Sequence, residues 1–147
     1  LGYHYRMTEL QAALGLSQLE RLDAYITRRR ELAERYSQEL ANLPVKTPWQ
    51  KSDTDSAWHL YVVRLKEEGE KKRRQVFEQL RRAGIGVNVH YIPLHTQPYY
   101  LEMGFDEGQF PQAERFYVEA ISLPLFPTMG EDSQDQVIAA LKEALCS

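Results

Sequence analysis

Four histidines are the residues of this sequence best suited to chemistry, and two of them, His90 and His95, stand five positions apart. With His59 they could ligate a metal ion, but this spacing matches no common zinc signature, and no cysteine or carboxylate is placed to complete the set. Local hydrogen bonding within a loop is a second interpretation. We favour a third, a ligand-binding loop, because segments that leave the end of a rigid strand commonly carry ligand contacts.

Aromatic residues cluster in the sequence around this loop. They are Tyr91, Tyr99, Tyr100, Phe105 and Phe110. They could form a satellite of the hydrophobic core, or one wall of a ligand site in which tyrosine hydroxyls reach the polar groups of a sugar. The pattern leaves both interpretations open.

A second candidate site precedes the first helix. Thr8, followed three residues later by Gln11, predicts a capping box at a helix start. Free backbone N–H groups at such an end attract anions, and the nearby Arg6 adds a guanidinium with forked donors suited to phosphate or carboxylate. The segment Tyr3-His4-Tyr5-Arg6 is therefore a candidate anion site. The alternative is an ordinary entry loop with an exposed arginine.

The composition argues against several other classes of protein. A formal net charge of −3, from 18 basic and 21 acidic residues, gives no electrostatic reason to bind nucleic acid. No apolar run approaches the roughly 18 residues of a membrane span. One cysteine, Cys146, cannot form an internal disulfide, and no secretory signal is visible, so we expect a cytoplasmic protein. The basic runs Arg28–Arg30 and Lys71–Arg74 are flanked by acids, which predicts solvated helix faces.

The elements that must position these residues are helices packed on a small sheet, an α+β fold. One long helix, or two end to end, is predicted to cover about 35 residues from Thr8, or roughly 50 Å. Because that exceeds the roughly 30 Å diameter of a small domain, the helix needs another domain or a partner subunit to pack against. Its segment Leu10–Leu16 is apolar on most of its circumference, which predicts burial on more than one side.

Two extended segments are predicted after this helix. Residues 58–65 are apolar on both faces, which predicts a central strand. Ile85–Tyr91 alternates with period two, so we predict a strand with Tyr91 on its apolar side and His90 on its polar side. Shorter extended pieces are predicted at 45–47 and 121–124, and helices at 67–83, after Pro111, and from Gly130 onward.

Motifs spread over nearly the whole chain resemble the DegT/DnrJ/StrS family of pyridoxal-phosphate (PLP)-dependent sugar aminotransferases. The resemblance covers only the C-terminal part of that family's protein, and the start at Leu1 likewise predicts a piece of something longer. The matching segments are Gly2–Gly15, Gln18-Leu19, Arg29-Arg30, Ala33–Tyr36, His59–Tyr61, Gly84-Ile85, Val89–His95 and Leu123–Pro127.

This resemblance implies the small domain of a fold-type-I aminotransferase that acts as a homodimer. Residues 1–42 would form the end of the large domain, a loop near the PLP phosphate and a long linking helix, and residues 43–147 the C-terminal small domain. The family's PLP-binding lysine precedes the Gly-Tyr-x-Tyr-Arg motif, whereas every lysine of this sequence follows it. The resemblance therefore implies that the chain alone contains no catalytic residue and is inactive.

The resemblance also assigns roles to the candidate residues. His4, where the family usually has asparagine, and Arg6 would contact the PLP phosphate of the partner subunit, and no metal is implied. The full-length enzyme would move an amino group from glutamate to a 4-keto-6-deoxy nucleotide sugar. The pocket for that sugar would be lined by Tyr3, His90, Tyr91 and His95.

Within the family, the segments His90–Tyr100 and Ala120–Leu125 look most like one subgroup. It makes UDP-4-amino-4,6-dideoxy-N-acetyl-altrosamine, on the route to pseudaminic acid. Two alternatives to this activity stay open. One is a PLP-dependent sugar dehydratase of the same family, in which histidine replaces the lysine; the other is a binding or interaction domain that keeps the fold without chemistry.

Overall fold

A three-stranded antiparallel sheet with helices packed around it forms the body of the molecule. The computed structural model describes residues 5–66 and 70–146, with only the backbone of Glu70 and Lys71. The predicted roles of Tyr3 and His4 fall outside these described residues. Within the described part, no helix has the length and apolar character needed to cross a bilayer.

The amino-terminal part consists of two successive helices, α1 (Glu9–Leu19) and α2 (Leu22–Glu39). The predicted capping box is confirmed, because the side chains of Thr8 and Gln11 each accept the other's backbone N–H. α1 buries no residue, and Leu10 is 81% exposed. The burial predicted for Leu10–Leu16 is therefore not provided by the described residues, which leave this apolar surface open.

The sheet comprises β1 (Val45–Lys46), β2 (Tyr61–Leu65) and β3 (Ala120–Leu123), with β2 in the centre as predicted. Every second side chain of β2 is fully buried, as the period of a strand requires. β2 is shorter than the predicted segment 58–65, because Trp58 has a φ of 46° and leaves the extended region.

Four helices follow along the rest of the described chain: α3 (Glu70–Arg82), α4 (Pro98–Glu102), α5 (Pro111–Glu119) and α6 (Glu131–Cys146). α3 ends before Gly84, whose φ of 80° suits the left-handed residue that follows a helix. α3 packs against α6, and α5 packs against β2. The segment between α3 and α5 consists of loops interrupted by a short 3₁₀ turn (Leu94–Thr96) and by α4.

Two tyrosines lie at the centre of the core, between α2 and β2. The rings of Tyr36 and Tyr61 are fully buried, with centroids 5.0 Å apart. Both hydroxyls are satisfied: Tyr36 donates to the Pro124 carbonyl at 3.0 Å, and the Tyr61 hydroxyl lies 2.8 Å from Ser37 Oγ. Burial disfavours the charged phenolate and raises the pKa of each tyrosine.

The strand predicted at Ile85–Tyr91 does not form. Ile85 and Val87 are buried as predicted, but the segment contributes a single bridge to the sheet, between Asn88 and Ser122. The reason is that two N–H groups of the segment bond to near neighbours in the chain. The Val87 N–H donates to the Ile85 carbonyl and the Val89 N–H donates to the Asn88 side chain, so neither adds a hydrogen bond to the sheet. Tyr91, predicted on the apolar side, is 73% exposed.

The arginine run Arg28–Arg30 is not a solvated face, contrary to prediction. The Arg29 guanidinium donates to the carbonyl oxygens of Trp58 at 3.0 Å, His59 at 3.3 Å and Leu125 at 2.9 Å. These carbonyls belong to two loops that meet at α2. One side chain thus joins the segment before β2 to the segment after β3.

The neighbours of Arg29 reach other main-chain groups. Arg28 donates to the Met129 carbonyl at 3.1 Å, and Arg30 donates to the Ser56 carbonyl at 3.1 Å and pairs with Asp55. Successive helical residues point about 100° apart, so each arginine meets a different part of the surrounding chain.

The second basic run, Lys71–Arg74, departs from the prediction at one described position. Arg73 is buried, with its guanidinium 5.0 Å from the centre of the Tyr117 ring. Arg74 is exposed and pairs with Glu78, as expected of a solvated face.

Candidate functional site

His90 lies beside β3, two residues after the Asn88 bridge to Ser122. Its Nδ1 is 2.8 Å from the hydroxyl oxygen of Ser122, and the ring of Tyr91 packs against it edge-on at 4.6 Å. Among the residues that the structure describes, Nε2 of His90 has no hydrogen-bond partner. A half-buried imidazole held by one nitrogen keeps the other for a ligand or for proton transfer.

His95 is placed differently, in a single 3₁₀ turn, and is only 7% exposed. Its Nε2 is 2.7 Å from Oε1 of Glu114. A carboxylate only accepts, so Nε2 carries the proton and donates it. The Gly108 N–H donates to the same oxygen at 2.8 Å. The hydrogen bond from His95 is the main cause of a lowered pKa of Glu114, and the bond from Gly108 lowers this pKa further.

The His95–Glu114 pair therefore joins three segments: the turn after the His90 loop, the bend at Gly108 and the first turn of α5. Pro111 begins α5, as its fixed φ predicts, and Glu114 follows three residues later in the first turn of the helix.

A cavity of about 370 Å³ opens beside His95. The aromatic residues contact one another along its wall: Phe110 lies 4.8 Å from the His95 ring, and Phe105 lies 6.0 Å from Tyr100. They thus pack together and also line a space. Tyr91 and Tyr99 do not line it. The lining residues are Pro93, Leu94, His95, Tyr100, Phe105, Phe110 and Ala113.

Arg6 is exposed at the entry to α1. Within the part of the chain that the structure describes, its guanidinium makes no hydrogen bond or ion pair. The capping box already uses two of the N–H groups at this helix end, and Glu9 adds a negative charge there. Two groups were proposed to bind an anion, the N–H groups at the start of α1 and the guanidinium of Arg6. The guanidinium is therefore the stronger candidate.

The three histidines that could have ligated a metal ion do not lie together in the structure. His59 is exposed, His90 contacts Ser122, and His95 contacts Glu114. Within residues 5–66 and 70–146, no group of three or more His, Cys, Asp or Glu side chains is arranged to hold a metal ion.

Sequence reasoning did not find Glu114 or Ser122, the partners of the two histidines. Glu114 follows Pro111 in the first turn of a predicted helix, where an acid is favoured by the helix dipole. That signal explains the residue type without indicating that His95, 19 positions earlier, would be its partner.

The chain belongs to the DegT/DnrJ/EryC1/StrS aminotransferase family, whose model matches residues 1–142. It is 41% identical over 146 residues to the spore coat polysaccharide biosynthesis protein SpsC of Bacillus subtilis, and the match covers 97% of this chain.

Solved structures resemble it closely. Spr1654 from Streptococcus pneumoniae, in its PLP form, superposes with a TM-score of 0.90 at 33% identity over 95% of this chain. Helicobacter pylori PseC, an aminotransferase involved in the biosynthesis of pseudaminic acid, superposes with a TM-score of 0.89 at 27% identity over 99% of this chain. The predicted α+β fold class is confirmed.

The chain spans only part of each of these proteins. It covers 38% of SpsC, 36% of Spr1654 and 39% of PseC. Each of these relatives is therefore more than twice as long as this chain.

Proposed function

We propose that the chain is the C-terminal part of a PLP-dependent sugar aminotransferase, cytoplasmic and homodimeric when complete. Residues 1–42 would end the large domain and link it to the small domain, residues 43–147. The observation that carries the proposal is the superposition on Spr1654 in its PLP form with a TM-score of 0.90. The full-length enzyme would transfer an amino group from glutamate to a 4-keto-6-deoxy nucleotide sugar.

The cofactor would be pyridoxal phosphate, which when bound supplies an electron sink for the transfer. Of the described residues, Arg6 fits its phosphate group, because it has a permanent charge and forked donors without a competing partner. With His4 it would bind that phosphate across the dimer. Two of the lysines are engaged in ion pairs: Lys51 pairs with Asp53, and Lys142 with Glu39.

The sugar pocket would be formed by Tyr3, His90, Tyr91 and His95. His90 is the best placed of the described members, because Ser122 fixes its ring while Nε2 stays available to a sugar oxygen. The exposed Tyr91 adds an adjacent hydroxyl, and His95 supports the loop through its bond to Glu114.

The substrate we propose is UDP-linked, and the product is the 4-amino sugar on the route to pseudaminic acid. Support comes from the likeness to PseC, which covers 99% of this chain. At 27% identity this likeness supports the proposal without distinguishing among the sugars that family members use.

The test is to incubate the full-length, PLP-loaded protein with glutamate and a UDP-linked 4-keto-6-deoxy-N-acetylhexosamine. We expect equimolar 2-oxoglutarate and a sugar nucleotide in which an amine has replaced the keto oxygen, detected by mass spectrometry. Loss of a hydroxyl from the sugar without 2-oxoglutarate would favour the dehydratase. Tight ligand binding with no turnover of any keto sugar would favour a non-catalytic binding domain.

A further inference from the structure

Ser122 places a hydroxyl group in an otherwise apolar strand. The other residues of β3 are alanine, isoleucine and leucine, and all four residues of the strand are buried. Ser122 itself is 4% exposed and pairs with Val62 of the central strand. A polar group in such a position costs free energy unless a partner satisfies it. The hydrogen bonds of Ser122 therefore indicate what the residue does there.

The main-chain groups of Ser122 are already satisfied. Its N–H donates to the Asn88 carbonyl at 2.8 Å, and its carbonyl accepts from the Asn88 N–H at 3.2 Å. The hydroxyl thus takes no part in this bridge, and its partner among the described residues is Nδ1 of His90, at 2.8 Å. Because Asn88 precedes His90 by two residues, the bridge brings the imidazole beside the hydroxyl.

The proton shared between these two groups lies on the serine oxygen. A hydroxyl has one donor and two acceptor sites, whereas a neutral imidazole has one donor and one acceptor nitrogen. If Nδ1 of His90 donated, the hydroxyl proton of Ser122 would stay buried without an acceptor among the described residues, which is costly. If the hydroxyl donates, its proton and the Nδ1 lone pair satisfy each other.

The other ring nitrogen of His90 then carries the imidazole proton. In a neutral imidazole whose Nδ1 accepts a hydrogen bond, Nε2 is the donor. Within the described part of the chain, Nε2 of His90 has no partner, and the ring is half-buried. The Tyr91 ring packs edge-on against it, with the ring centres 4.6 Å apart, which restrains its rotation. The imidazole is therefore held in place with one N–H left for a ligand.

His95 uses the same nitrogen inside the protein. Its Nε2 donates to Glu114 at 2.7 Å, so this proton is already committed to a carboxylate. The two histidines of the segment thus differ in kind: His95 joins parts of the chain to each other, whereas His90 keeps its donor for a ligand.

We propose that Ser122 is a positioning residue, which holds His90 in the tautomer with the proton on Nε2 and thereby makes it a hydrogen-bond donor to the substrate. The partner of Nε2 is an acceptor oxygen of the nucleotide sugar. In this tautomer Nε2 has no lone pair for a proton, so His90 orients the substrate and is not a base. The inference rests on the proposed function, because that function supplies the sugar.

The first experiment is ¹⁵N magnetic resonance of the full-length, PLP-loaded protein with labelled histidines, at about pH 8.5, where histidines are ordinarily neutral. The His90 signals are identified by their loss in His90→Gln. We expect a protonated Nε2 and an unprotonated Nδ1 whose resonance is displaced by its hydrogen bond. In Ser122→Ala, the Nδ1 resonance should move to that of an unbonded ring nitrogen. Ser122→Thr keeps a hydroxyl and should preserve the displacement.

The second experiment measures KM for the UDP-linked keto sugar and for glutamate. We expect Ser122→Ala to raise KM for the sugar about two- to tenfold, the loss of one hydrogen bond, and to leave KM for glutamate unchanged. Ser122→Thr should restore the lower value. The matched control is Ser37→Ala, because the Ser37 hydroxyl bonds to Tyr61, on the face of the sheet opposite Ser122. It should change neither KM.

A protonated Nδ1 in the unaltered protein would overturn the proposal. An unmoved Nδ1 resonance in Ser122→Ala, or a KM for the sugar equal to that of the unaltered protein, would also overturn it. An equal rise of KM for glutamate would do the same, because the site as a whole would then be disturbed. The spectra do not depend on turnover, so the expected resonances in a protein that converts no keto sugar contradict the proposed transfer reaction and leave the role of Ser122 supported.

Discussion

Removing the guanidinium of Arg29 should release the two loops that it joins to α2. The substitution Arg29→Met keeps most of the apolar stem and removes every donor. Three main-chain carbonyls, of Trp58, His59 and Leu125, then lose their charged partner.

The expected cost follows from the geometry of these three bonds. The bonds to Trp58 and Leu125 are short and partly buried, whereas that to His59 is longer and exposed, so water replaces it at little cost. A hydrogen bond to a charged group contributes about 1.5–3 kcal/mol. Taking the lower value for two bonds, because water can reach the loops, gives about 3 kcal/mol, or roughly a hundredfold change in an opening equilibrium.

Amide hydrogen exchange of the full-length protein measures this opening directly. The N–H groups of Trp58 and Met129 are reporters, because each is hydrogen-bonded within one of the two loops. We expect both to exchange about a hundredfold faster in Arg29→Met, while core amides of α3 and α6 keep their protection.

The control is Arg81→Met, which makes the same chemical change at an exposed position on α3. It should leave both reporters unchanged. Exchange in Arg29→Met that matches Arg81→Met would refute the reasoning. Faster exchange of every core amide would show instead that Arg29 stabilises the whole domain and not these loops.

Four further predictions concern the site and the open helix face. In the full-length enzyme, Arg6→Ala should weaken PLP retention, measured from cofactor absorbance after dialysis; unchanged cofactor affinity and kinetics would contradict the phosphate role. His95→Ala should raise KM for the nucleotide sugar more than KM for glutamate, and equal effects would count against a sugar-side role. Glu114→Gln should melt below the unaltered protein at pH 7, and the difference should shrink as the pH falls through the lowered pKa of Glu114, because a carboxylate with a lowered pKa stabilises only while ionised; a difference independent of pH would argue against a hydrogen bond from His95 to an ionised Glu114. The 147-residue chain alone should aggregate through the exposed apolar face of α1. Leu14→Lys places a charge on this face and should reduce light scattering, whereas equal scattering by the variant and the unaltered chain would show that this face does not drive association.

Local features of the fold could be predicted from the sequence because a few adjacent residues determine them. Thr8 and Gln11 form the capping box within one helical turn, Pro111 begins α5, and Gly84 follows the end of α3. The central position of β2 was predicted from the apolar residues on both of its faces, although the structure fully buries only the face that carries Tyr61, Val63 and Leu65.

Features that depend on distant contacts could not be predicted. Arg29 and Leu125 are 96 residues apart, and a basic run gives no sign that its donors will meet main-chain carbonyls. The strand expected at Ile85–Tyr91 had the correct period, but the N–H groups of Val87 and Val89 bond locally and do not extend the sheet. In the candidate site, the loop and its aromatic residues were found, whereas the pairing of His95 with Glu114 required the fold.

Arg29 of α2 binds main-chain carbonyls of the two loops and not their side chains, and this affects how the loops can vary among relatives. A carbonyl oxygen is present whichever residue occupies the position, so substitutions at Leu125 or His59 leave the acceptors of Arg29 in place. Correlated substitutions between α2 and these loops should therefore be weak, although they are physically joined. A contact map inferred from covariation would underestimate this connection, and the loops can vary in sequence while Arg29 keeps their path constant.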